Sequence, residues 1–88
     1  MALTTAQQLR AARAALRLEQ QEVAEAAGVA LGTIKRIEQS DGLIRAHLET
    51  VQKLEAAFDR LGIEFTNGGK PGVRLDLSKA QTAANAAA

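Results

Sequence analysis

Gly28 separates two short stretches whose apolar residues recur at helical spacing, and that junction restricts the fold more than any other position in the chain. Upstream, Val23, Ala24 and Ala27 share one face of a helix predicted from about Gln20 to Ala27. Downstream, Ile34 and Ile37 share a face of a helix predicted from Leu31 to Gln39. Glycine enters the left-handed conformation that ends a helix without a Cβ penalty, so the chain can turn sharply there. Ala24 is small where the two helices must cross closely, and Val29 packs back toward the core.

The flanking sequence supplies what this pair needs to pack against. Thr4 or Thr5 can cap a first helix, with Leu9, Ala12 and Leu16 on one face. Residues 40–46 contain the Asp41-Gly42 turn signal and read as a loop anchored by Leu43 or Ile44. A fourth helix is expected from about Ala46 to Leu61, with Leu48, Val51, Leu54, Phe58 and Leu61 as its stripe and Gly62 closing it. His47 is read as a residue of its first turn. The period then changes. Residues 63–66 and 73–77 alternate apolar and polar around the turn-rich Asn67-Gly68-Gly69-Lys70-Pro71-Gly72, which predicts a β-hairpin. Residues 78–88 have no large apolar side chain and are expected to be disordered or nascently helical. The expected fold is therefore mainly α, with four helices over residues 1–62, a C-terminal β-hairpin over 63–77 and a tail over 78–88.

At 88 residues the chain makes one modest core, and alanine inflates its apolar fraction of 47%. A core this thin gains from pairing with a second copy. The chain contains no cysteine, so neither a disulfide nor a thiolate metal site can brace it. Nothing reads as a membrane span or a secretory signal, so a bacterial cytoplasm is the expected location. The net charge of +1 does not itself point to nucleic acid, but residues 1–18 carry Arg10, Arg13 and Arg17 and no acid. Lys53 and Arg60 read as solvated helix positions.

Catalytic and metal chemistry find no residues here. His47 is the single histidine and has no co-ligands at metal spacing. No nucleophile–base set is present, and Gly68-Gly69 lacks the strand–loop–helix order of a phosphate loop. No cofactor and no enzymatic activity are expected. What remains is the exposed face of the second motif helix: Leu31, Gly32, Thr33, Lys35, Arg36 and Gln39. A helix of that width fits the DNA major groove, where base edges are distinguishable.

Leu9, Arg13, Gln20, Ala24, Gly28, Val29, Ile34 and Glu38 together resemble the phage-repressor and Cro-like (Xre) helix-turn-helix family across residues 5–61. The resemblance implies a lambda-repressor-like four-helix domain that binds double-stranded DNA. It implies that Gln20 touches a phosphate and that Gln21 reaches a base. Leu31, Gly32, Thr33 and Arg36 would face the groove or its rim, and Arg45 in the following loop would touch backbone phosphate. It also implies an ion pair between Arg13 and Glu38. Two positions depart from the pattern. Ala30 replaces the usual hydroxyl before the reading helix, at a cost of about 1 kcal/mol in capping. Glu19 replaces a short capping side chain. With Leu31-Gly32 opening the face, readout is expected to lean on Gln21, Lys35 and Arg36, with Arg36 bidentate on guanine, Leu31 against a thymine methyl and Lys35 on phosphate, or with the two cations exchanged.

Two strands alone are marginal in water, so Ile63, Phe65, Val73, Leu75 and Leu77 need a cover. Packing on the first and fourth helices supplies one, and pairing with the hairpin of a second copy supplies another. The two are compatible, and pairing between copies is favoured. The expected function is a homodimeric transcriptional regulator, most simply an autoregulating repressor, on an inverted-repeat operator. The alternative is an antitoxin-type protein whose main partner is another protein.

Overall fold

The computed structural model describes residues 2–80. It contains α1 (Ala6–Leu16), α2 (Gln20–Ala27), α3 (Leu31–Glu38), α4 (Leu48–Arg60), β1 (Ile63–Thr66) and β2 (Gly72–Leu75). The mainly helical fold with a terminal hairpin is the one the periodicities predict.

The first helix opens on Thr5, whose hydroxyl accepts the Gln8 N–H while Gln8 reaches back, forming a capping box. Gln8 does more than cap. Its side chain is buried, its oxygen accepts the N–H groups of Thr4 and Thr5, and its amide donates to the carbonyls of Ala2, Thr66 and Gly72. One glutamine thereby ties the N-terminal segment to both hairpin strands. α1 ends at Arg17 in the left-handed region and α2 at Gly28, φ +69°, as the glycine predicts.

Leu9, Val23, Ile34, Leu54 and Phe58 meet in one core, completed by Leu3 from the N-terminal segment and by Ile63 and Phe65 from β1. Phe58 and Phe65 pack edge to face, with centroids 5.7 Å apart. The hairpin is antiparallel, with Ile63 opposite Leu75 and Phe65 opposite Val73, so these four share the face laid on α1 and α4. The opposite face carries the cross-strand pair Glu64–Arg74 at 3.0 Å.

Four details differ from expectation. α4 starts at Leu48, not Ala46, and His47 is its N-cap. The reason lies upstream: Leu43 bridges Thr5, and the Ile44 N–H binds the Thr4 carbonyl, holding the chain extended. Ile44 therefore turns inward while Leu43 and Leu48 stay exposed, flanking a shallow apolar groove with Leu3 and Val51. The second strand stops at Leu75 because Asp76 starts a helical turn over 77–80. The Asp76 N–H binds the Gly62 carbonyl, and its carboxylate accepts the Lys79 N–H. Leu77 is thus off the strand and exposed, and residues 78–80 are helical. The rest of the expected tail, 81–88, lies outside the described residues. Finally, Arg60 is not merely solvated, because its guanidinium donates to the Ala26 carbonyl near the end of α2.

Candidate nucleic-acid interface

The α2–α3 pair is positioned from behind by α1. Arg13 and Glu38 form a bidentate pair, with Nη2–Oε1 at 2.7 Å and Nε–Oε2 at 2.9 Å. The Glu38 side chain is only 4% exposed, that of Arg13 27%. Arg13 also donates to the Leu18 carbonyl, and the Gln20 amide adds a third group to Glu38 at 3.1 Å. α1, α2 and α3 are therefore locked at one carboxylate. The Glu38 hydrogen bond and charge hold the Arg13 guanidinium above its ordinary pKa, against a desolvation that acts the other way. An arginine raised this way contributes its full share at every pH below its ordinary pKa, so no pH dependence arises from it near neutrality.

Sequence reasoning missed Arg10. Its guanidinium donates to the carbonyls of Glu38 and Ser40 and to the Asp41 carboxylate. It satisfies carbonyls at the end of α3, which would otherwise need water.

On the outer side, Gly32, Lys35, Arg36 and Gln39 are exposed and Thr33 is half-exposed. Nothing lies within 4 Å of a Cβ built at Gly32, so that position is open to an approaching surface. Leu31 is half-buried and packs partly against the core, which leaves only part of its side chain to face outward. It shares a groove with Gln20, Gln21 and Lys35. Two expected contact residues are engaged internally. Gln20 is on Glu38, and the Gln21 amide folds back onto Glu25 at 2.8 Å. Arg45 is exposed and lines a second groove with Arg36 at the far end of α3. Ala30 gives α3 no side-chain cap, as its methyl dictates; at α2, Glu22 accepts the Glu19 N–H.

The cations divide unequally. Arg10, Arg13, Lys53, Arg74 and Lys79 are ion-paired, and Arg60 is on a carbonyl. Among the described residues, Arg17, Lys35, Arg36, Arg45 and Lys70 have no such partner. Three of these five lie on α3 or in the loop after it. Positive charge left without a protein partner is charge available to phosphate.

The expected pairing residues are also placed. Ile63 and Phe65 are buried in the chain's own core and Val73 packs against it, while Leu75 is 38% and Leu77 72% exposed. Among the described residues, no group of three or more His, Cys, Asp or Glu side chains could hold a metal ion. No helix among them is long and apolar enough to cross a membrane.

A helix-turn-helix family model matches residues 9–65, well over half of the chain. No curated protein matches it. The match spans α2, the Gly28 turn and α3 together with the helices that hold them. The chain belongs to the phage-repressor and Cro-like (Xre-like) helix-turn-helix family of DNA-binding regulators.

Proposed function

We propose that the chain is a homodimeric transcriptional regulator that reads an inverted-repeat operator with α3 in the major groove and controls its own gene. The observation that carries this is the clustering of partnerless cations, Lys35, Arg36 and Arg45, on and just after a helix whose other face is core. Gln20, Thr33, Gln39 and Arg45 position the helix on phosphates; Gln21, Leu31, Gly32, Lys35 and Arg36 supply readout. Gln21 must leave Glu25 to do so, a change of one exposed side chain. Two copies related by a two-fold axis would place their reading helices ~34 Å apart.

Arg36→Ala tests the reading face. Specific affinity should fall by about 1–3 kcal/mol and preference should relax at one base position. The whole interaction should weaken steeply with salt, by about 0.9 in log–log slope for each phosphate contacted. Unchanged affinity and preference in Arg36→Ala, or a flat salt response of the wild type, would contradict this assignment.

Pairing is assigned to Leu75 and Leu77, the large apolar residues that the hairpin and the turn after it leave exposed. Deleting residues 63–88 cannot test it, because Ile63 and Phe65 are part of the core. Leu77→Lys can, because Leu77 is off the strand and 72% exposed. The variant should keep its melting temperature, shift toward monomer in light scattering and bind the operator less well, and an unchanged dimer would move the interface elsewhere.

One observation favours the second reading, an antitoxin-type protein. The exposed Leu43 and Leu48 give the chain an apolar surface, lined with Leu3 and Val51, that the DNA-facing reading does not use in full. Co-purification with a small protein encoded by the neighbouring gene would support that reading.

A further inference from the structure

The loop after α3 carries Arg45, and α1 holds that loop in place. The Gln7 side-chain oxygen accepts the Gly42 N–H at 2.8 Å, and the Gly42 carbonyl accepts the Ala6 N–H at 2.9 Å. Arg10 completes the attachment: Nη1 donates to the Glu38 and Ser40 carbonyls at 2.7 and 2.8 Å, and Nη2 meets Asp41 Oδ1 at 2.5 Å.

Asp41 is the anomaly in this arrangement. It lines the same groove as Arg36 and Arg45, and its side chain is 78% exposed. A free carboxylate there would repel a phosphate and draw one of the two arginines onto itself. Neither arginine has a protein partner, and Arg10 holds the Asp41 carboxylate from the α1 side. An exposed ion pair of this kind contributes little to folding. Its effect falls on the charge presented by the groove.

We infer that Arg10 is a positioning residue for DNA binding: by holding Asp41 it keeps Arg36 and Arg45 free for the DNA. This rests on the reading of α3 as the DNA-facing helix. The carbonyl bonds from Arg10 serve the end of α3, and the Asp41 bond serves the groove, so a second-site change separates the two roles.

The test uses the full chain and an operator duplex selected from random DNA by the wild type. Affinity is measured against salt for Arg10→Gln, Asp41→Asn and the double variant, with thermal melts alongside. Arg10→Gln should bind about five- to tenfold more weakly with a salt slope shallower by about one. Asp41→Asn leaves Arg10 as an extra cation and should bind about two- to threefold more tightly, with a steeper slope. The double variant should return to within about twofold of wild type. A double variant as weak as Arg10→Gln would show that Arg10 acts only through the carbonyls and would overturn the inference. Wild-type affinity and slope in Arg10→Gln would overturn it as well. If Arg10→Gln does not fold, Asp41→Asn decides: unchanged affinity and slope would mean that this carboxylate does not act on the groove. Failure of the reading itself is distinct, because it appears as no selected DNA or as no effect of Arg36→Ala in the same titrations.

Discussion

Arg13→Ala should destabilise the protein by about 3–5 kcal/mol, because it leaves the buried Glu38 carboxylate with one amide in place of a bidentate cation. In a domain of this size each kcal/mol moves the melting temperature by roughly 4–8 °C, so a fall of at least about 12 °C is expected in a thermal melt. Glu38→Ala should cost less. It leaves behind an arginine already 27% exposed, which water can reach. The asymmetry is the useful part: equal losses from the two variants would mean that Glu38 is not effectively buried. A buried pair is weak support for stability as such. Here it fixes the angle at which α1 presents α3, so variants that remain folded should still lose specific DNA binding.

Gly62→Ala should be nearly as damaging, at about 3 kcal/mol. Gly62 has φ +97°, and a Cβ there would sit 2.7 Å from the Ala80 nitrogen and 2.9 Å from the Asp76 carbonyl oxygen. Both are backbone atoms, and a flexible side chain cannot relieve the overlap by moving aside. Two costs add: a non-glycine residue in a left-handed conformation, and displacement of the 76–80 turn. Gly32→Ala is the control, since its added methyl meets nothing within 4 Å and lies in a helix that favours alanine. Gly32→Ala should keep or raise the melting temperature. Equal melts for Gly62→Ala and wild type would show that the terminal turn does not pack on Gly62.

The sequence carried the helices because their signals are local. Gly28, the Thr5 cap and the Val51–Leu54–Phe58 stripe each specify structure within a few residues, and α1 to α4 follow from them. The Arg13–Glu38 pair became legible through the spacing shared with a known family rather than through chemistry. What escaped was non-local. Nothing near Gln8 announces that its amide will meet the carbonyls of Thr66 and Gly72, and nothing near Arg10 announces the end of α3. Leu48 looked like the first rung of an apolar stripe. The bridge between Thr5 and Leu43 holds the preceding chain extended and leaves that rung beyond the core. Leu77 continued a two-residue alternation in composition, yet Asp76 was a capping residue and ended the strand.

The residues proposed to face DNA show the same division. Lys35, Arg36 and Arg45 were recognisable by position, and the fold adds that they lack protein partners. Leu31 was expected to face outward, and it divides its surface between the core and solvent. The proposed readout therefore rests more on Arg36, Lys35 and Gln21 than on apolar contact.

On the proposed reading, α3 reads DNA and does so as two copies. Selection of bound duplexes from random sequence, with the mass of each complex measured, tests it most directly. The expected result is an inverted repeat whose half-sites are about one helical turn apart, occupied by two chains. Selected DNA with no shared sequence, or a single chain on an asymmetric site, would contradict it.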